Sequence, residues 1–362
     1  MERTGSQILI DALKKENVEY IFGLPGGVVI PLFDTLFDDT DLKFILTRHE
    51  QAAGHAADGY ARATGKVGVC LVTSGPGATN LTTAIATAYM DSIPMVAITG
   101  QVKTHLIGSD AFQEADVTGI TRPISKHNYL VKNIKELGTV IKEAFYIAST
   151  GRPGPVVVDL PVDVTTDKWD GDIHEEINLP GYKPSYEGNI RQIKIAAEAI
   201  NRSKRPVIYA GGGVILSNSS EQLIELAEKA NLPVNTTLLA LGVFPEDNEK
   251  ALGMIGMHGT VPANYTVHEA DLLIAIGARF DDRITGKIDE FAPCAKIIHI
   301  DIDPTSISKN IRVDIPVVGD ANNILTELIK HVNYAERKEW FEKRSEERRV
   351  GKECRSRWSP YH

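Results

Sequence analysis

The chain has 362 residues, 43% of them hydrophobic and 24% charged, with a formal net charge of −9. That composition is ordinary for a soluble globular protein of two or three domains. The acidic balance argues against a nucleic-acid binder, which presents a basic face. Three cysteines, Cys70, Cys294 and Cys354, are odd in number and far apart. They imply neither a disulfide framework nor a metal knuckle, and a reducing cytoplasm is the simplest home for them. No apolar run nears the ~20 residues of a bilayer span, and residues 1–5 run straight into a helical pattern without a targeting peptide.

Residues 6–16 carry Ile8, Leu9, Ala12 and Leu13 at helical spacing. Residues 18–22 read as a short strand ending in Gly23-Leu24-Pro25-Gly26-Gly27. The paired glycines let a backbone come close to a ligand or another chain, or simply turn a strand into a helix. The apolar run Phe44-Ile45-Leu46 reads as a short buried strand, and a polar stretch and then small residues at helical spacing follow it (Ala52, Ala53, Ala56, Ala57, Ala61). Glu50 therefore falls where a strand stops and a helix starts. Ligands of open α/β sheets bind at that edge; a glutamate that only complements the helix dipole is the plainer alternative.

Residues 67–73 form a buried strand, followed by the loop Ser74-Gly75-Pro76-Gly77-Ala78-Thr79-Asn80 and a helix over 81–90. Such loops cradle phosphate at helix starts, but this one has no Walker lysine and no dinucleotide fingerprint. Residues 95–99 are a further strand. Residues 102–118 lack regular pattern and contain Phe112 and Gln113; a loop that long is functional or disordered. A helix over 140–149 and a strand over 156–160 complete the first pattern. Alternating strands and helices mean a parallel sheet covered on both faces.

Residues 166–187, rich in Asp, Glu, Gly and Pro, read as a linker. A second α/β pattern then begins, with helices at 190–201 and 221–230 and strands at 206–210, 233–237, 271–276 and 296–300. Three of these strands end in Gly211-Gly212-Gly213, Gly277-Ala278-Arg279 and Asp301-Ile302-Asp303. In a parallel sheet those ends share one edge, which suits a nucleotide-type ligand with an acid for its ribose; ordinary turns are the alternative. The fold class is α/β, with two doubly wound parallel-sheet domains over 1–165 and 188–335.

Several stretches together resemble the acetolactate (acetohydroxyacid) synthase large-subunit family of thiamine-diphosphate enzymes. They include Phe22-Gly23-Leu24-Pro25-Gly26-Gly27, Arg48-His49-Glu50-Gln51, Thr73-Ser74-Gly75-Pro76-Gly77-Ala78-Thr79-Asn80 and Gly108-Ser109-Asp110-Ala111-Phe112-Gln113-Glu114. Met257-His258-Gly259-Thr260 and Gly277-Ala278-Arg279-Phe280-Asp281-Asp282-Arg283 belong to the same set. The resemblance implies that the first domain holds the cofactor's pyrimidine. Glu50 would be the catalytic acid bonded to its N1′ atom, with Pro25, Gly26, Pro76, Asn80 and Gln113 lining the cofactor. Gly27, Phe112 and Lys126 would lie near the substrate. The central domain would bind a largely structural FAD through Arg152, Gly211, Gly212, Gly213, Thr237, Leu238, Met257, His258, Gly277, Ala278, Arg279, Asp282, Arg283, Asp301, Ile302 and Asp320.

By the same resemblance, pyruvate is decarboxylated and condensed with a second 2-ketoacid, pyruvate or 2-ketobutyrate, in the first step of branched-chain amino-acid biosynthesis. The partners implied are further copies in a homodimer or homotetramer and a small regulatory subunit, with no nucleic acid and no membrane. The family's third domain binds the diphosphate through Mg2+ and opens on Gly-Asp-Gly. That tripeptide is absent here, so the chain is expected to be truncated, to hold no metal ligands of its own and to be inactive alone. Residues 336–362 read as the start of a linker and a basic, patternless, non-native tail. A pyruvate oxidase or decarboxylase relative, distinguished by acetyl phosphate or acetaldehyde as product, is one alternative. A non-catalytic FAD-binding module, indifferent to thiamine diphosphate, is another.

Overall fold

The structure, a computed structural model, describes residues 2–171 and 176–343. The chain divides into two compact units, Met1–Lys183 and Pro184–His362. In chain order the first reads β1 (Arg3–Thr4), α1 (Gly5–Lys15), β2 (Tyr20–Leu24), α2 (Ile30–Phe37), β3 (Lys43–Leu46), α3 (Glu50–Thr64), β4 (Gly68–Val72) and α4 (Pro76–Asn80). It continues with α5 (Thr82–Asp91), β5 (Met95–Gln101), α6 (Val117–Thr121), β6 (His127–Leu130), α7 (Ile134–Ser149), β7 (Pro155–Pro161), α8 (Val162–Thr166) and β8 (Lys168–Trp169).

Six strands form one parallel sheet in the order β3-β2-β4-β5-β7-β6. β4, β5 and β7 are buried at every position, as strands covered on both faces must be. On one face α1 and α7 bury Leu9, Leu13, Leu137 and Ile141 against Val96, Ile98, Val156 and Val158. On the other, α3 and α5 bury Ala53, Ala57, Ala61 and Ile85 against Cys70, Ala97 and Val157. The chain leaves β2 for β3 on one side and returns to β4 on the other. The carboxyl ends of β2 and β4 are therefore a topological switch point, the crevice that receives ligands in open α/β sheets.

The run Phe44-Ile45-Leu46 is not buried. β3 is an edge strand, and Leu46 is 64% exposed. An apolar run registers hydrophobicity but not whether a second neighbour covers the strand. Residues 76–80 form a helical turn with Pro76 at its start rather than a loop, which breaks at Leu81 before α5. β2 lies two residues later than expected because Asn17, at φ 57, turns the chain out of α1. α7 begins at Ile134, capped by Asn133, well before residue 140. Lys168 and Trp169, inside the expected linker, pair antiparallel with Thr4 and Arg3.

The second unit reads α9 (Ile190–Arg202), β9 (Pro206–Ala210), α10 (Gly213–Leu216), α11 (Ser220–Lys229), β10 (Val234–Thr236) and β11 (Ala251–Met254). α12 (Val261–Glu269), β12 (Leu272–Ile276), α13 (Asp282–Thr285), β13 (Lys296–Asp301), β14 (Ile315–Val318) and α14 (Ala321–His331) follow. Its parallel sheet has the order β11-β10-β9-β12-β13-β14, the dinucleotide-binding order with its switch point between β9 and β12. The packed chain continues past residue 335. Arg337 donates to the carbonyls of Ile200, at 3.0 Å, and Ala230, at the ends of α9 and α11, and Trp340 Nε1 donates to Pro206 O at 3.0 Å. The basic stretch from residue 344 onward lies outside the described residues. Among the described residues, no helix is long and apolar enough to cross a membrane.

Candidate functional site

The first unit's switch point gathers three strand-end segments. Glu50 is the first residue of α3, behind the N-cap His49, whose Nδ1 accepts the Gln51 N–H at 3.1 Å. Its carboxylate is buried, and Oε2 accepts a hydrogen bond from Asn80 Nδ2 at 2.9 Å. Asn80 ends the helical turn opened by Pro76, so the break at Leu81 fixes where its amide can reach. Thr73, just after β4, wedges between two glycines. A Cβ at Gly26 would stand 2.5 Å from Thr73 Cβ, and one at Gly77 would stand 2.7 Å from Thr73 Cγ2 and 3.4 Å from Glu50 Oε1. Glycine is therefore required at both positions, because Thr73 packs where a side chain would have to go. Thr73 Oγ1 and Ser74 Oγ are buried there without a hydrogen-bond partner. Buried polar atoms are rarely left so, and they mark the crevice as built for polar company.

The irregular segment from residue 102 reaches the same place. Gly75, at φ +55, lies so close that a Cβ there would be 2.5 Å from Gln113 O. Gln113 itself sits at φ 59, an unusual conformation for a side-chain-bearing residue. Phe112 beside it is 87% exposed. Glu114 organises this turn by accepting the backbone N–H groups of Gly108 and Ala111, and those bonds hold its carboxyl below the usual range. Pro25, Gly26, Gly27, Glu50, Pro76, Asn80, Phe112 and Gln113 thus all belong to the carboxyl-end edge of one sheet.

Lys126 and Arg152 do not join them. Lys126 precedes β6 and its backbone N–H bonds Pro155 O at the start of β7, so it stands at the opposite edge. Its ammonium donates to Ile147 O, to Thr150 O at 2.6 Å and to Tyr182 Oη at 2.7 Å, closing the end of α7. Within this chain Lys126 is a helix-end clamp, remote from Glu50. Arg152 also lies at the strand-start edge, with Nε donating to Ser92 Oγ at 2.8 Å.

Sequence reading passed over Asp159, Gln101 and Thr99. Asp159 is buried in β7 and accepts Thr99 Oγ1 at 2.7 Å and Gln101 Nε2 at 2.9 Å. Burial pushes its carboxyl up to about 7, against the lowering effect of those two donors. The available signal was an acid inside the apolar run of residues 156–160.

In the second unit, the switch point between β9 and β12 is closed by glycine on glycine. A Cβ at Gly211 would be 2.2 Å from Gly277 O, and one at Gly213 would be 2.6 Å from Gly277 Cα. A Cβ at Gly212 would stand 3.2 Å from Leu239 Cβ. Ala278 is buried, its carbonyl 3.0 Å from His299 Nε2, and Arg279 and Ile302 are half-buried on the same edge. Thr237 Oγ1 is buried without a partner beside the exposed Leu238. Met257, His258, Asp282 and Arg283 are exposed in the neighbouring loops. Asp301 and Asp320 are already engaged by the chain's own backbone: Asp301 accepts from Asp303 N, and Asp320 caps α14 through Asn322 N and Asn323 N.

Residues 3–120 match the family described as "Thiamine pyrophosphate enzyme, N-terminal TPP binding domain", and residues 193–328 match "Thiamine pyrophosphate enzyme, central domain". The chain is 59% identical over 328 residues to a "Probable acetolactate synthase large subunit" of Methanocaldococcus jannaschii, covering 90% of this chain and 55% of that protein. It is 52% identical over 332 residues to an "Acetolactate synthase large subunit" of Haemophilus influenzae, covering 91% of this chain and 58% of that one. The chain thus spans little more than half the length of these curated relatives.

Proposed function

The chain belongs to the acetolactate synthase large-subunit family of thiamine pyrophosphate enzymes, and on that premise we propose that its first unit holds the pyrimidine of thiamine diphosphate against Glu50. The observation that carries this is the Glu50–Asn80 pair at the switch point, beside two buried hydroxyls without hydrogen-bond partners. The residues present fit the group. A buried carboxylate suits a ring nitrogen that must be protonated, and the unpartnered hydroxyls of Thr73 and Ser74 beside it suit a polar ligand. When bound, the cofactor supplies the electron sink for decarboxylating a 2-ketoacid.

The protein's part is binding and one proton. Glu50 holds a proton at N1′ of the ring, and its low exposure keeps competing water away from that exchange. Asn80 fixes the carboxylate's orientation and, by donating to one oxygen, leaves the other to face the ring. Gln113 and Phe112 border the same space, with Phe112 offering an apolar face to a small ketoacid. The whole protein would join the decarboxylated pyruvate to a second 2-ketoacid, pyruvate or 2-ketobutyrate.

FAD belongs to the second unit in this reading, with Gly211 to Gly213, Thr237 and Leu238 facing it. Support comes from the dinucleotide strand order and from Thr237 Oγ1, buried without a partner. Magnesium would bind outside the described residues. The assembly would be a homodimer or homotetramer with a small regulatory subunit.

The test joins residues 1–343 to the remaining half of the Methanocaldococcus relative and supplies pyruvate, thiamine diphosphate, Mg2+ and FAD. Acetolactate should form, and Glu50→Gln should lower the rate by about 10²–10⁴, the usual worth of a positioned acid. Equal rates with glutamine, or acetyl phosphate or acetaldehyde as the product, would refute the proposal.

A further inference from the structure

We propose that Asp159, acting through Gln101, is a positioning residue that holds the Phe112–Gln113 segment over the switch-point crevice. The proposal rests on the reading of that crevice given above, since it assigns Asp159 to the same site.

β5 and β7 pair in parallel with Thr99 opposite Asp159, and the side chains of Thr99, Gln101 and Asp159 share the face that carries Ala97 and Val157. All three are buried. The Gln101 amide is fully used: Nε2 donates to Asp159 Oδ2 and to Ala115 O, both at 2.9 Å, and Oε1 accepts the Val102 N–H at 2.8 Å. One planar group therefore ties the sheet to both ends of the irregular segment. Asp159 Oδ1 is held in turn by Thr99, so the carboxylate cannot rotate to release Gln101 without breaking a second bond. The upstream stem has its own pin, because Thr104 N donates to Asp163 at 3.1 Å. Between these pins the turn is closed on itself by Glu114. Its seat on Gly75 lies two residues from Ala115, and the approach there is close enough to need glycine, since a Cβ at Gly75 would stand 2.5 Å from Gln113 O.

A buried carboxylate in a central strand is a costly way to hold a strand pair, which its backbone ladder already secures. Bonding the one amide that reaches the loop gives it a use that a valine there would lack. The role is positioning, because Asp159 reaches the crevice only through Gln101 and the chain beyond Ala115.

Amide hydrogen exchange on the full chain tests this, comparing wild type with Asp159→Ala, Gln101→Ala and Asp159→Asn. Losing one buried hydrogen bond to a charged group should raise exchange across 105–116 about tenfold or more in the two alanine variants, with β4 and β5 amides little changed. Asp159→Asn can still accept from Gln101 while its amide donates to Thr99, so it should return the segment to within about threefold of wild type. A purely structural role would loosen the whole unit evenly. Unchanged exchange at 105–116 in Gln101→Ala, an even rise throughout the unit, or asparagine as loose as alanine would each overturn the proposal. Gln101→Ala carries the test should Asp159→Ala fail to fold. Exchange that behaves as expected while Glu50→Gln leaves the chimera's activity intact would overturn the site reading and leave the anchor standing.

Discussion

Gly54 offers the sharpest check on how the Glu50 crevice is built. It lies mid-helix in α3, one turn after Glu50, and a Cβ there would stand 2.5 Å from Ala84 Cβ and 3.1 Å from Leu81 Cδ2. Two carbons in contact prefer about 3.5–4.0 Å. Ala84 Cβ is fixed to the α5 backbone and cannot swing aside, so the helices must part by about 1 Å. Two effects compete in Gly54→Ala. Helix propensity favours alanine by about 1 kcal/mol, whereas overpacking a filled core costs about 1–3 kcal/mol. The second should win by about 1 kcal/mol, lowering the Tm of the first unit by about 2–4 °C. Parting the helices also carries Glu50 away from Asn80, so the chimera should lose activity beyond what its stability predicts. Adding Ala84→Gly restores the space from the other side. Calorimetry and urea unfolding of the four proteins of that double-mutant cycle should give a coupling of about 1 kcal/mol or more. A higher Tm for Gly54→Ala, or no coupling, would refute the close-packing account.

Asp159 should make stability depend on pH. Its folded carboxyl is raised from 3.8 to about 7, so the folded state holds the proton more tightly than the unfolded chain. That contribution is full below about pH 4 and is lost as pH rises toward 7, to a limit of about 4 kcal/mol. Asp159→Asn does not titrate, so it should gain on wild type as pH rises from 4.5 to 7.5 in urea melts; a constant gap would contradict the burial account. Arg337→Ala removes the cation that closes the ends of α9 and α11 and should cost about 2–4 kcal/mol in the second unit's unfolding. A loss under 0.5 kcal/mol, on the scale of an ordinary surface change, would mean the segment past residue 335 is not part of its core. A thiol reagent should modify the exposed Cys294 in the native chain and spare Cys70, whose thiol burial pushes up to about 12; equal rates at both would contradict that placement.

Linear pattern was enough to put Glu50 at the join of a strand and a helix, because the change from apolar run to small-residue helix marks a strand end wherever the strand sits. The three glycine- or acid-ended strands of the second unit were legible for the same reason, and they do lie side by side on one edge. Burial of β3 was misread because an edge strand and a central strand can carry the same short apolar run. Trp340 gave no periodic signal, since its partner, Pro206 O, is far away in sequence.

Local periodicity and strand-end chemistry, read from residue order alone, determined the α/β class and the place of Glu50 between a strand and a helix. Only the tertiary structure decided which edge each side chain occupies. Lys126 and Glu50 both sit next to strands in sequence, but one precedes its strand and the other follows, and parallel strands put those two positions on opposite sides of the sheet. Asp159 became meaningful only when β5 and β7 were paired, because a hydrogen bond between residues 58 apart depends on sheet register, and register is a property of the folded sheet that no single strand carries.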